Sequence, residues 1–383
     1  MKLRSFALLF LAAQLAAQSP TLRIGTWNLE FLGSENPSHR NNLPPRDDQD
    51  FAKIGEKVKG LGVAVLAVEE VCGPAPLQKV AAGAGPSWQF VLGTSGAWDD
   101  GKTSQQVGFL YDTAQVELLF AEELLQLPRE KDGVPIFHRV PVTAAFKVKA
   151  TGFDFRATVV HLKAGQKKDD EQKRRLEATF LHEWFTKLQA TPGEDEDRVL
   201  LGDFNSTYGS EPETILEQEH LLTYLRPKSA TPTIMHFADP IDQIVVGPGF
   251  GELRADSFTV DNDFDGMPKD AWRKTYSDHF PVTVEIVAAR DEDPTATFAR
   301  GDDTQSLPPK NRPQVAFPAP KVGKSAWPPV VGTEVQVHCG NDIVTVGKLA
   351  MPLPEGPGGW VVLEQQKGLR AIPYAQVVTI NVP

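Results

Sequence analysis

The chain has 383 residues, of which 41% are hydrophobic and 23% charged, enough apolar material for one large globular domain and a smaller companion. Its formal charge of -11 argues against broad, charge-driven binding to nucleic acid or an anionic membrane, because attraction to phosphate normally shows as a basic surplus. A phosphate substrate stays open, since a bound divalent metal inverts the sign locally.

Lys2 and Arg4 make a basic start, Phe6 to Leu15 an apolar run much shorter than a membrane span, and Leu15-Ala16-Ala17 a small-residue exit. Residues 1–19 are therefore expected to be a secretory signal peptide, and the mature protein to be secreted or periplasmic. No later segment approaches the roughly 20 apolar residues of a transmembrane helix. The two cysteines, Cys72 and Cys339, fall in different expected domains. Separate, mostly buried thiols are expected rather than a disulfide framework.

From Thr21 to about Val287 strand-like and helix-like patterns alternate. Leu22 to Trp27, Val63 to Val68, Val107 to Tyr111, Val140 to Val148, Phe153 to Leu162, Val199 to Gly202, Ile241 to Val246 and Pro281 to Ile286 read as strands. They are rich in β-branched residues and bounded by Gly, Asp or Pro. Phe51, Ile54, Val58 and Leu61 recur at helical spacing, as do Leu176, Phe180, Trp184 and Leu188, each giving one apolar stripe. The expected architecture of residues 20–289 is α/β, two sheets packed face to face with helices outside.

Residues 290–329 change character, with Asp291-Glu292-Asp293, Asp302-Asp303 and repeated prolines, and read as an acidic, Pro-rich linker. Strand signals return at Val335 to His338, Ile343 to Leu349, Trp360 to Leu363, Arg370 to Ile372 and Val377 to Ile380. Residues 330–383 are expected to form a small all-β domain, a barrel of the SH3 or Sm kind, without a catalytic constellation.

The chemistry concentrates in two stretches, Gly202-Asp203-Phe204-Asn205-Ser206 after one apolar run and Ser277-Asp278-His279-Phe280 before another. Both place a carboxylate beside a second polar side chain at a strand end, where metal-assisted hydrolysis would be built. Alone, Asp203 and Asn205 read as turn formers, Asp278 as a loop acid, and His161 as a strand-end histidine.

Taken in order, Trp27-Asn28-Leu29-Glu30, Leu66-Ala67-Val68-Glu69-Glu70-Val71, His161-Leu162-Lys163, Gly202-Asp203-Phe204-Asn205, Ile241-Asp242-Gln243-Ile244 and Ser277-Asp278-His279-Phe280-Pro281 resemble the endonuclease/exonuclease/phosphatase superfamily, of deoxyribonuclease I-like fold. The resemblance covers roughly residues 22 to 287 and implies a four-layered α/β sandwich that hydrolyses phosphate esters. It implies Glu70 as principal metal ligand, with Asn28, Glu30 and Asp278 supporting the metal shell, for Mg2+ or Mn2+. It implies that Asp203 orients or deprotonates the attacking water, that Asn205 donates to that water or to the phosphoryl oxygens, and that His279, held by Asp242, acts at the phosphate with His161. Tyr111 and Arg139 match positions where the family often places phosphate-contacting groups, and Lys163 lies close enough to His161 in sequence to supply a further phosphate contact. Glu69 is expected to face solvent or a neighbouring helix.

Two further features stand out. Asp261-Asn262-Asp263-Phe264-Asp265-Gly266 resembles the opening of an EF-hand loop, which makes structural Ca2+ at Asp261, Asp263 and Asp265 a candidate, although the twelfth position is Trp272 rather than Glu. The basic cluster from Lys163 to Arg175 is interleaved with Asp169, Asp170 and Glu171, an ordinary charged helix face that could also touch a phosphate backbone. Trp88, Trp98 and Trp272 are candidates for stacking on bases or for anchoring loops. The reading expected is an exported, divalent-metal-dependent phosphodiesterase, a nuclease acting on DNA or RNA. The alternatives are a phosphatase or a phospholipase C-like (sphingomyelinase-like) enzyme, and a catalytically idle binding protein that uses its C-terminal barrel.

Overall fold

The computed structural model describes residues 21–97, 104–227, 231–248, 250, 253–254, 256–288, 291, 293–301 and 307, together with the backbone strands 334–339, 344–349, 360–365, 368–373 and 377–381. The expected signal peptide, most of the expected linker and Trp98 lie outside the described residues. The chain divides into two compact units, Met1–Pro313 and Gln314–Pro383.

The first unit runs β1 (Thr21–Leu32), α1 (Asp48–Gly60), β2 (Val65–Val71), α2 (Pro74–Ala84), β3 (Trp88–Leu92), β4 (Gln106–Asp112), β5 (Val116–Glu123) and the short ribbon β6 (Glu130–Lys131) with β7 (Val134–Pro135). It continues through β8 (Val142–Val148), β9 (Asp154–His161), α3 (Lys168–Gln189), β10 (Arg198–Asp203), α4 (Glu211–Leu216), β11 (Thr223–Tyr224), β12 (Asp242–Val246), β13 (Thr259–Val260), α5 (Lys269–Thr275) and β14 (Val282–Val287). One sheet has the order β13-β14-β1-β2-β4-β3 and the other β11-β12-β10-β9-β8-β5. The pairs β1/β2 and β9/β10 are parallel.

The side-chain alternation of β2 shows how the layers arise. Val65 and Ala67 join a core that also holds Phe146, Phe155 and Leu201 of the second sheet, while Leu66 and Val68 pack with Ile54 and Val58 of α1 and Leu77 and Val80 of α2. In β10, Val199 and Leu201 face that inter-sheet core and Leu200 packs with Leu181 and Phe185 of α3. Both faces of these strands are covered, so their sequences read as continuous apolar runs. The result is an α/β sandwich with helices on the outer face of each sheet.

Some expectations needed adjustment. The stripe of α3 is rotated by one position: Ala178, Leu181, Trp184, Phe185 and Leu188 are buried, whereas Leu176 and Phe180 are only partly covered. Helix α2 and strands β3 and β5 were not anticipated; α2 carries prolines in its first turn, and β5 exposes Leu119 while burying Glu122 and Glu123, which breaks the apolar/polar alternation. Cys72 is half-buried, its Sγ near the Ser104 carbonyl, and is not the buried thiol expected. Trp88 and Trp272 are fully packed in the core under the first sheet and offer no face for a base.

Part of the segment expected as linker stays on the first unit. Thr297 pairs with Glu194, and the Leu307 N–H donates to the Ala121 carbonyl at 2.8 Å. Backbone bonding and burial of Leu307 supply the ordering that its acidic, Pro-rich composition lacked.

In the second unit, β15 (Glu334–Cys339), β16 (Val344–Leu349), β17 (Trp360–Gln365), β18 (Gly368–Pro373) and β19 (Val377–Asn381) form one antiparallel sheet of order β18-β17-β16-β15-β19.

Candidate active site

The site forms where strand ends of both sheets meet. In the second sheet, Asp203 at the end of β10 pairs with His161 at the end of β9 and with Asp242 at the start of β12. Asn28 on β1 crosses between the sheets, its Nδ2 donating to Asp203 Oδ2 at 2.9 Å. Register thus brings together residues that lie up to 175 positions apart.

His279 enters from the segment between α5 and β14. Its backbone N–H donates to Ser277 Oγ at 3.0 Å, Ser277 donates onward to the Asn28 carbonyl, and Trp27 Nε1 donates to the His279 carbonyl at 3.1 Å. These bonds fix the loop to β1. The ring then points Nδ1 at Asp242, 2.9 Å from Oδ2, and leaves Nε2 facing Asp203 Oδ2 at 3.9 Å and Asp278 Oδ1 at 4.0 Å. Thr233 Oγ1 accepts the N–H groups of Ile241 and Asp242, which holds the acid's backbone. Opposite, His161 Nε2 lies 3.5 Å from Asp203 Oδ2 and 3.8 Å from Glu70 Oε1. Its Nδ1 is buried with no hydrogen-bond partner.

Glu70 owes its position to a bulge. The β1/β2 register shifts between Asn28 and Leu32, and Glu30, Phe31 and Glu70 adopt positive φ of 44°, 50° and 57°. The kink turns Glu70 out of the β2 alternation; its Oε2 accepts the Phe31 N–H at 3.0 Å. Glu69, one position earlier, keeps the phase of Val65 and Ala67 and is wholly buried between the sheets, bonded to Thr26 Oγ1 at 2.7 Å with Oε2 unpartnered. This corrects the expectation that Glu69 faces solvent or a helix, and the period-2 phase of Val65-Leu66-Ala67-Val68 was the available signal.

The electrostatics follow from burial. Burial, with the Asp242 charge beside it, pushes Asp203 up to about 7. Burial disfavours charge on His279, but the Asp242 and Asp203 carboxylates outweigh it and hold the imidazole well above its ordinary range. His161 goes the other way: burial and the charges of Arg139 and His279 keep it well below that range, hence neutral. Glu70 is raised by burial and by the Asp278 charge, a repulsion that a cation would relieve. The oxygens of Glu70, Asp278 and Asn28 suit a hard divalent ion, which takes a few carboxylate and amide oxygens and retains water.

Other expected residues lie elsewhere. Glu30 does not face the cluster. Its carboxylate is held by Arg273 at 2.6 Å, Arg40 at 3.3 Å and Arg46 at 3.7 Å, so its oxygens are already committed to three guanidinium groups. Tyr111 sits at the opposite end of β4, paired with Val65, and its hydroxyl donates to Gln89 at 3.0 Å. Burial pushes its phenol up, and no substrate phosphate can reach it. Lys163 turns its ammonium to Asp170 at 3.0 Å, away from the cluster, while its N–H donates to Glu177 at 2.8 Å. Arg139 is adjacent but engaged, donating to the carbonyls of His161 and Leu162 and to Gln105. Asn205 donates through its backbone to Asp203 Oδ1 at 2.8 Å and through Nδ2 to the Leu162 carbonyl at 3.1 Å. In the Asp261-Asp263-Asp265 loop the three carboxylates each offer an oxygen within 4.8 Å of the others, and Lys57 Nζ lies 2.8 Å from both Asp261 and Asp265.

Two clefts flank the loop after His161. One, of about 570 Å³, is lined by Gln166, Arg174, Asn205, Ser206 and Phe237. The other, of about 580 Å³, is lined by Arg129, His138, Arg139, Lys163 and Lys173.

An acid-and-histidine cluster at the joined strand ends of two sheets, backed by helices, defines a phosphoester hydrolase of the sandwich type. The sequence profile of the Endonuclease/Exonuclease/phosphatase family matches residues 25–279, and the chain belongs to that family. Family members are phosphoester-hydrolysing enzymes that depend on divalent metal. The endonuclease/exonuclease/phosphatase from Bacteroides vulgatus is similar at 22% identity and TM-score 0.50, over 70% of this chain and 98% of that one. The mannosyl-6-phosphatase of Bacteroides thetaiotaomicron matches at 19% and 0.48, over 69% and 98%. D. rerio TDP2 complexed with single strand DNA product matches at 18% and 0.48, over 69% and 98%. No curated protein matches the chain in sequence.

Proposed function

We propose that this chain is an exported, divalent-metal-dependent phosphodiesterase that cuts nucleic acid. The observation that carries the diester reading is the pair of clefts, one beginning at Asn205 and the other at Arg139, on either side of the loop after His161. A phosphodiester has organic groups on both sides of its phosphorus and fills two such clefts; a phosphomonoester needs one. The second cleft carries Arg129 and Lys173 beside Glu177, cations that a phosphate backbone leaving the cluster can meet. Export rests on the leading sequence from Lys2 to Ala17.

In this reading Glu70, Asp278 and Asn28 hold Mg2+ or Mn2+, which when bound neutralises phosphoryl charge and draws density from phosphorus. Asp203, fixed by Asn28 and the Asn205 backbone, takes the proton of the water that attacks in line with the leaving oxygen. His279, kept charged and oriented by Asp242, donates through Nε2 to a phosphoryl oxygen. His161, neutral, presents Nε2 to the same phosphate. The closed surroundings of Asp203 and His279 strengthen each of these interactions.

The test is a hydrolysis panel on the purified mature protein: plasmid DNA, single-stranded DNA, RNA, sphingomyelin and a phosphomonoester, with Mg2+, Mn2+ or EDTA. Cleavage of DNA or RNA that EDTA stops is the expected result. Activity confined to sphingomyelin or the monoester would overturn the nuclease reading and move the enzyme to the phospholipase C-like or phosphatase branch. Intact mass of the exported protein checks loss of the leading segment.

A further inference from the structure

A second carboxylate cluster lies at the far end of the second sheet. Asp195 and Asp197, in the turn entering β10, and Asp293 each offer an oxygen within 4.8 Å of the others. Asp154, at the start of β9, comes within hydrogen-bonding reach of Asp195, and Asp291 faces both Asp154 and Asp293. The strands β9 and β10 pair Arg156 with Arg198 near this end and His161 with Asp203 at the other. Five residues of strand separate those pairs, roughly 17 Å, so this cluster is distinct from the active site.

The five carboxylates of this cluster outnumber, among the described residues, the cations that act on them, Lys147 and Arg198. Among the described residues, Lys147 reaches the outer oxygen of Asp154 at 2.6 Å, and Arg198 spends its Nε on the Asp195 carbonyl at 2.9 Å. Asp195 is 1% exposed; its Oδ1 accepts the Asp197 N–H at 2.7 Å, and its Oδ2 is buried with no hydrogen-bond partner. An orphaned, buried carboxylate oxygen directed into a group of other carboxylates calls for a cation or a shared proton.

We propose that Asp154, Asp195, Asp197, Asp291 and Asp293 form a structural Ca2+ site. Acids drawn from three separate chain segments suit a large, flexible oxygen shell of six to eight ligands; Mg2+ favours one or two carboxylates and keeps its water. The ion would staple the segment after β14 to the sheet. That segment already bonds there: the Asp195 N–H donates to the Thr297 carbonyl at 2.9 Å, the Thr297 N–H to the Gly193 carbonyl at 2.8 Å, and Arg156 to the Ala299 carbonyl at 2.7 Å. Neutralising the cluster holds these backbone bonds together.

Thermal denaturation of the full chain tests the site. Protein stripped with EGTA should gain about 5 °C in Tm in 1 mM CaCl2, and tryptic cleavage after Arg300 should slow. Asp195→Asn and the milder Asp293→Asn, on the half-buried side of the cluster, should each lose most of that gain, whereas Glu70→Gln keeps it. Calorimetric titration with CaCl2 should count one ion fewer in Asp293→Asn than in the wild type. A gain that survives in both Asp variants but vanishes in Glu70→Gln would place calcium at the active site and overturn the proposal. A wild type indifferent to CaCl2 but stabilised on acidification to pH 5 would assign a shared proton instead.

Discussion

Glu30 and Glu70 end neighbouring strands, both with left-handed backbones, yet their surroundings are opposite. Around Glu30, Arg40, Arg46 and Arg273 satisfy the carboxylate, and the guanidinium groups are themselves held by the carbonyls of Leu29, Arg273, Lys274, Thr275 and Tyr276. Around Glu70 and Asp203, carboxylates outnumber nearby cations, and the Nε2 atoms of His161 and His279 both approach Asp203 Oδ2, at 3.5 and 3.9 Å. The first region settles most of its charge internally, while Arg273 also reaches Asp278 at 3.4 Å, and so fixes the loop that carries Asp278 and His279. The second keeps charges unspent, at a cost in stability, because substrate and metal are to complete them.

The sharpest way to break this contrast is to remove the unspent groups. Asp203→Asn and His279→Ala should each lower kcat by about 10²- to 10⁴-fold while circular dichroism and Tm show an intact fold. A variant that keeps near wild-type turnover would sink the assignment. Glu30→Gln should act in the reverse sense. Breaking a buried pair and stranding the guanidinium groups should cost about 3–5 kcal/mol in urea denaturation. If it instead left stability untouched and abolished metal-dependent turnover, Glu30 would belong to the metal shell after all.

Glu177 lies between the two cases, a buried acid on α3 whose carboxylate accepts the Lys163 N–H, and burial pushes it up to about 7 from 4.5. Between those values the folded state holds more protons than the unfolded one, so stability should fall as pH rises from 4.5 through 7, by about 3 kcal/mol. Glu177→Gln should flatten that part of the pH profile of unfolding; an unchanged slope would show that the group ionises normally. The smallest effect belongs to Tyr111→Phe, which loses one hydrogen bond to Gln89, worth about 1 kcal/mol, and should leave kcat unchanged. A drop in turnover would return Tyr111 to the phosphate.

Much of this molecule follows from local pattern. The strands that build the two sheets are legible because both faces of each are covered, giving apolar runs ended by Gly, Asp or Pro, and α1 and α3 because three- and four-residue spacing survives in them. Asp203 and His279 are marked by position at strand ends. Glu30, Tyr111 and Lys163 share that mark but not the site, since a strand end alone does not say which end of the sheet, or which neighbour, a side chain meets. Parallel pairing of β9 with β10 and the bulge between β1 and β2 set the ends together and turn Glu70 outward while Glu69 stays inside. Sequence by itself determined the family, the layers and the chemical types available for catalysis. Only the tertiary structure decided which charges neutralise one another and which remain free, because that depends on distances between residues more than a hundred positions apart, as in Asn28 with Asp203 and Glu30 with Arg273.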